Sequence, residues 1–132
     1  MPFPINKEQI IITEKELSIT FPDSFKTKME KENGGTFVTD EDDWELIPFK
    51  DTTDNKRIKR TCNDLLYEYK QANEWKGFSE NLYPFAKNGC GDFLVFRKDE
   101  IKNEIVQEVY FWNHENGELT VLFKSFDEIE FD

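Results

Sequence analysis

The segment 88–92, Asn-Gly-Cys-Gly-Asp, constrains the fold of this chain more than any other stretch, because the apolar run 93–96 follows it directly. Two glycines one residue apart, flanked by Asn and Asp, indicate a tight turn that needs positive φ angles or a close approach of the backbone. The Phe-Leu-Val-Phe run is typical of a buried strand, and another strand pattern begins near Val109. Turn and strands together predict a hairpin-rich sheet in the second half of the chain.

The first part of the sequence has helical patterns instead. Asn6 followed three residues later by Gln9 has the form of a capping box, which predicts a helix from there to about Ser18. Pro22 predicts the start of a second helix, because proline loses no hydrogen bond in a first turn. We expect Gly34 to end that helix in the left-handed conformation.

One longer helix and several strands complete the pattern. Apolar residues at helical spacing predict a single helix from residue 54 or 55 to about Trp75, with Ile58 and Cys62 on its inner face. Strands are expected at 37–38, 44–49, 82–86, 93–96, 108–112 and 119–123, and a last short helix is expected after Ser125. Because helices precede a meander of strands, we predict an α+β fold in a single domain, 1–132, with a mainly antiparallel sheet and N-terminal, central and C-terminal helices packed on it.

The charge of the chain narrows the classes of partner. Seventeen Lys and Arg against twenty-eight Asp and Glu give a net charge of −11. A field of that sign repels nucleic acids and anionic membranes and attracts basic proteins, although solubility alone also accounts for an acidic surface. No apolar run has a membrane-spanning length, and the N-terminus lacks the pattern of a signal peptide, so we expect a cytoplasmic protein.

The acidic residues are densest at 40–45, where five acids surround Trp44. Aligned as a calcium loop from Asp40, the segment has Glu45 where glycine is required and Asp51 where the bidentate Glu belongs, so the calcium interpretation fails. Two interpretations stay open: a contact with a protein partner, or a solvated loop.

No constellation in the sequence indicates catalysis or a cofactor. Cys90, His114 and Asp92 have the residue types of a nucleophilic triad, but a strand rather than a helix N-terminus follows Cys90, so Cys90 is interpreted as a small residue between two turn glycines. His114 is the only histidine and is expected to hydrogen-bond locally. Cys62 and Cys90 are expected to be free thiols. The basic cluster 56–60 is interpreted as the outer face of a helix.

Five motifs in order resemble the Smi/Knr-type (SUKH) superfamily. They are Phe21-Pro22 at a helix start, Asn33-Gly34-Gly35 after it, the turn 88–92 with its apolar run, the strand 109–115, and Ser125-Phe126-Asp127-Glu128-Ile129 near the end. The superfamily resembles this chain from end to end. Departures are mild: Phe21 stands where Leu is commoner, and Ser24-Phe25 where a polar residue and Tyr often occur. These departures concern packing.

The resemblance implies an α+β fold without catalysis or cofactor. Bacterial members are commonly immunity proteins that bind and block toxins, often nucleases, whereas yeast members regulate cell-wall assembly. We therefore expect a non-enzymatic immunity protein whose partner is a cognate basic toxin domain, with no nucleic acid or membrane partner. The alternative is a regulatory or scaffold module of the same fold without a toxin. The sequence does not give the oligomeric state, and a monomer is favoured.

The expected partner-binding residues include an aromatic anchor, Trp44. The acids around it are expected to steer the partner electrostatically and to form ion pairs with it. The full candidate set is Asp40, Glu41, Asp42, Asp43, Trp44, Glu45, Asp92 and His114. No catalytic, cofactor-binding or metal-binding residue is expected.

Overall fold

The computed structural model describes residues 3–75 and 77–131 and has the predicted α+β architecture. Its elements are α1 (Lys7–Leu17), α2 (Asp23–Lys31), β1 (Thr36–Val38), β2 (Asp43–Leu46), α3 (Asn55–Arg60), α4 (Leu65–Ala72), β3 (Leu82–Lys87), β4 (Phe93–Asp99), β5 (Glu104–Trp112), β6 (Leu119–Phe123) and a 3-10 turn at Phe126–Glu128. No helix in these two ranges is both long and apolar enough to cross a bilayer.

The six strands form one antiparallel sheet in the order β1-β2-β3-β4-β5-β6. The register shifts between Pro84 and Ala86, between Phe96 and Lys98, and between Val109 and Tyr110. Bulges of this kind increase the twist of a sheet. The sheet curls enough that Trp44 on β2 packs edge-on against Phe111 on β5, with ring centroids 5.8 Å apart.

Aromatic rings fill the core between the helices and the sheet. Phe25 on α2 is fully buried and lies at the centre of this cluster. Its ring centroid lies 5.2–5.7 Å from those of Phe21, Phe49, Phe85, Phe96 and Phe126. Tilted and edge-on pairs of this geometry add to the free energy gained from burial, so Phe25 contributes to packing α2 against the sheet.

The first two helices begin where the sequence predicts. The Asn6 side chain accepts a hydrogen bond from the Gln9 backbone N–H at 3.2 Å, and Pro22 immediately precedes α2. The reciprocal half of the expected capping box is replaced, because the Gln9 side-chain oxygen accepts from the Thr52 N–H at 3.1 Å instead. α2 ends at Lys31 with an extended Glu32 as its C-cap, so the expectation that Gly34 ends this helix is wrong, although Gly34 does have a positive φ of +145.

The prediction of a single central helix is wrong, because this segment forms two helices, α3 and α4. Asp64 caps the second one by accepting from the Tyr67 N–H at 3.0 Å. Thr61, buried between them, accepts a hydrogen bond from the Asp51 N–H at 3.0 Å. The expected inner-face residues Ile58 and Cys62 are exposed as a result.

Some strand boundaries also differ from the prediction. β2 ends at Leu46 rather than 49, since Phe49 donates its N–H to the Asn33 side chain at 2.8 Å instead of to a neighbouring strand. The strands expected at 93–96 and 108–112 are both longer in the structure, because β4 continues to Asp99 and β5 begins at Glu104. The last helix is a single 3-10 turn.

Candidate binding site at the acidic end of the sheet

The three loops that join β1 to β2, β3 to β4 and β5 to β6 all lie at one end of the sheet. This follows from the antiparallel register, in which Val38 pairs with Asp43, Lys87 with Phe93, and Trp112 with Leu119. The loops and the start of β2 carry eight acids and no Lys or Arg: Asp40, Glu41, Asp42, Asp43, Glu45, Asp92, Glu115 and Glu118. We call this the acidic end. The fold thus brings all the predicted site residues to one region.

The β1–β2 loop is held by hydrogen bonds from its own backbone. Thr39 donates its N–H to the Asp42 carbonyl at 2.8 Å, and the Thr39 hydroxyl accepts a hydrogen bond from the Asp42 N–H at 3.3 Å. The same hydroxyl accepts from the Trp44 indole Nε1 at 3.1 Å. Thr39 therefore fixes the loop that presents the acids, which lowers the conformational entropy lost when a partner binds.

Trp44 itself is not available to a partner. Only 1% of its surface is exposed, and its ring stacks on Phe37 and meets Phe111 edge-on. The expectation that Trp44 is a binding anchor is therefore wrong. Its position on the strand turns it toward the curled inner face of the sheet, where the rings of β1 and β5 cover it.

The carboxylates of the loop carry their charge without internal compensation. Asp40, Glu41, Asp43 and Glu45 are exposed and Asp42 is half-buried. Throughout 3–75 and 77–131, no residue forms a side-chain hydrogen bond or ion pair with any of these five carboxylates. Their negative potential is directed at solvent.

Asp92 and His114 have a structural connection. His114 Nδ1 lies 2.6 Å from Asp92 Oδ1, which also accepts the His114 backbone N–H at 3.0 Å. Asn88 donates to the other Asp92 oxygen at 3.0 Å. Burial by itself would raise the pKa of Asp92, but these hydrogen bonds outweigh it and lower the pKa below its ordinary value. The pair connects the β3–β4 turn to the β5–β6 loop. The expectation that His114 hydrogen-bonds locally is confirmed.

A cleft of about 610 Å³ opens beside the β1–β2 loop, between the two edge strands β1 and β6. Its apolar walls include Val38 on β1 and Leu122 on β6, which are 60% and 42% exposed, with Phe111 between them. All the charged residues that line it are acidic: Asp40, Glu41, Asp42, Glu128 and Glu130. Apolar walls with a ring of one charge suit a protein segment that carries the opposite charge.

No pattern in the sequence indicates this cleft. Val38 and Leu122 stand in strand patterns that predict burial, and Glu128 and Glu130 lie far from the acidic loop in sequence. Other chemistry has little support in the described residues. Cys62 and Cys90 are free thiols, as expected. No cluster of His, Cys, Asp or Glu within 3–75 and 77–131 is arranged to hold a metal ion.

The sequence model of the SMI1 / KNR4 family (SUKH-1) matches residues 4–130, which is nearly the whole chain. No curated protein matches the sequence.

Proposed function

Since the chain belongs to the SMI1 / KNR4 family (SUKH-1), we propose that it is a non-enzymatic immunity protein that binds and neutralises a cognate toxin domain in the cytoplasm. The partner is a basic protein, and a nuclease fits best. It binds at the acidic end. The observation that carries the proposal is a set of five carboxylates at 40–45, none of which forms an ion pair with a described residue. Hydrogen bonds of Thr39 hold the loop that presents them.

The charge of the acidic end explains why a nuclease fits. A nuclease needs a basic surface for its substrate, and that surface is complementary to a dense row of carboxylates. Opposite charges raise the association rate above the value for neutral surfaces, and the effect declines as salt is added. The neighbouring Val38 and Leu122 would add apolar contact area, and removal of apolar surface from water favours most protein–protein association.

The test is co-expression of this chain with the toxin-like domain encoded beside its gene, scored by growth and by co-purification. A patch variant replaces each acid at 40, 41, 42, 43 and 45 by its amide, which changes the net charge from −11 to −6. A matched control variant makes the same change in net charge at five exposed acids elsewhere. These are Glu8, Glu16, Glu74, Glu100 and Glu104.

The proposal expects rescue of growth and a stable complex with the natural sequence and with the control variant, and reduced rescue with the patch variant. Equal loss in both variants would mean that overall charge rather than the acidic end matters. Absence of rescue with the natural sequence would instead favour a regulatory module of the same fold without a toxin.

A further inference from the structure

The edge strand β6 is unusually open to pairing. Leu119, Val121 and Leu122 are 37%, 52% and 42% exposed, and the five residues of the strand include no charge and no proline. Thr120 and Leu122 line the cleft, whereas Leu119 and Val121 stand opposite Trp112 and Tyr110 in the register with β5. Apolar side chains are therefore exposed on both faces of a strand whose outer edge pairs with no other strand among the described residues.

The other open edges of this sheet are protected in the usual ways. β1 is only three residues long. The part of β5 that extends beyond β6 begins with Glu104 and ends at Glu108, so charged side chains flank it. Short length and charge are the means by which proteins prevent unwanted strand addition. β6 is flanked by Glu118 and Lys124 and has a bulge at Leu122. At five residues, however, it is longer than β1, and no charge or proline interrupts its exposed apolar side chains, so this edge is more open than that of β1.

We propose that β6 receives an extended, cationic segment of the partner as a seventh strand of the sheet. The inference rests on the proposed function, since the segment belongs to the basic toxin domain. Its backbone pairs with the free edge of β6, and one of its apolar side chains enters the cleft against Leu122 and Phe111. Its cations meet the acids of the β1–β2 loop and two acids at the end of the 3-10 turn and just after it, Glu128 and Glu130, so the occupant is defined by charge complementarity.

A synthetic peptide serves as the probe. It is a capped nonapeptide with two arginines at each end of a Thr-Val-Thr-Val-Thr centre. Titration of the full chain, followed by amide hydrogen exchange, is expected to show slowed exchange at alternate residues of 119–123 on binding. A peptide with glutamates in place of the arginines, and one N-methylated at alternate central residues, are each expected to bind at least about tenfold more weakly.

Leu122→Lys removes an apolar contact and blocks the edge, and is expected to weaken binding of the arginine peptide about tenfold. The matched control is Ile101→Lys at the opposite end of the sheet, where Ile101 is 96% exposed, and no change is expected. If Leu122→Lys does not fold, Val38→Lys on the facing wall of the cleft replaces it.

Two results would overturn strand addition: unchanged exchange at 119–123, or equal affinity of the N-methylated peptide. If either occurs while the patch variant still loses rescue of growth, the proposed function stands and only the pairing at β6 is refuted. If the peptide pairs with β6 but no toxin is neutralised, the pairing stands and the proposed function is refuted.

Discussion

The acidic loop at 40–45 and the basic helix α3 are both dense runs of charge in the sequence, yet the fold uses them in opposite ways. In α3, Arg57 lies 2.5 Å from Asp54 and 3.5 Å from the buried Asp51. The guanidinium groups of Arg57 and Arg60 also lie 4.3 and 4.5 Å from the centre of the Phe3 ring. In the loop, by contrast, no described residue pairs with the five carboxylates.

The difference separates charge that stabilises the fold from charge that is left for a partner. Arg57 is paired with two carboxylates of the molecule, and together with Arg60 it packs on the face of the Phe3 ring, so these cations have partners within the fold. The loop acids repel one another, which costs stability, and no residue within 3–75 and 77–131 pairs with them to offset that cost. A surface of this kind gains free energy only when an external cation arrives.

Trp44 lies next to the loop acids in sequence but belongs to the core. Trp44→Ala is expected to lower the free energy of unfolding by about 3–5 kcal/mol, because a fully buried ring is lost. Urea denaturation measures this change. Trp75→Ala, at a 43% exposed tryptophan, is the control and should cost clearly less. If the Trp44→Ala protein kept its stability but no longer bound the toxin domain, Trp44 would have to be a partner-binding residue.

The next effect is on association rather than on stability. The patch variant is expected to bind the toxin domain about 10- to 100-fold more slowly at low salt, since steering by the loop is lost. Stopped-flow measurements over a range of salt concentrations should also give a shallower salt dependence than for the natural sequence. The control variant, with the same net charge, should keep most of the rate. An equal fall in both variants would remove the distinction between the loop and the rest of the acidic surface.

Local signals in the sequence were enough for part of this picture. The turn at 88–92, the strands on either side of it and the caps at Asn6 and Asp54 follow from residues close together in the chain. Long-range contacts decided the rest. Thr61 separates α3 from α4 through a hydrogen bond to Asp51, and the curl of the sheet buries Trp44 under Phe111.

The candidate site was predictable in composition but not in arrangement. The acids at 40–45 are evident in the sequence. The exposure of Leu122 is not evident, because an apolar strand pattern normally indicates burial. Whether Leu122 is exposed depends on which strand lies at the edge of the sheet. The distinction between free and paired charge is likewise a property of tertiary contacts, since Arg57 reaches both Asp51 and Phe3.

The turn that supports the acidic end is expected to be sensitive at Gly91. Its φ is +100, and an added Cβ would lie 3.2 Å from His114 Cγ, so Gly91→Ala should cost about 1–3 kcal/mol in the free energy of unfolding. Gly89→Ala is the matched control, with φ +77 and no atom within 4 Å of an added Cβ. It should cost about 1 kcal/mol from backbone strain alone. Equal losses at both positions would show that the contact with His114 does not matter.

The ion pairs of α3 are tested by a substitution at Arg57. Arg57→Gln should lower the free energy of unfolding by about 1–2 kcal/mol, because it leaves the buried Asp51 carboxylate without its cation. Lys59→Gln, on the exposed side of the same helix, should change it by less than about 0.5 kcal/mol. Thermal and urea unfolding measure both. Binding to the toxin domain should be unchanged, and a slower association of Arg57→Gln would show that α3 also contributes to recognition.

The smallest effect distinguishes Asp92, the paired acid of the acidic end, from its unpaired neighbours. Hydrogen bonds from His114 and Asn88 overcome the opposing effect of burial and hold the pKa of Asp92 below its ordinary value of 3.8. A carboxyl whose pKa is lower in the folded state stabilises the fold above its unfolded pKa, and this contribution is lost as the pH falls through the folded pKa. Asp92→Asn should therefore cost about 1 kcal/mol near neutral pH, since these hydrogen bonds are only partly shielded from solvent. The difference from the natural sequence should shrink toward zero in urea titrations carried below the folded pKa. Asp40→Asn, at a carboxylate that no described residue contacts, should cost nothing near neutral pH. A loss of stability in Asp40→Asn as large as that in Asp92→Asn would mean that the loop acids are held by the fold, and the contrast with α3 would fail.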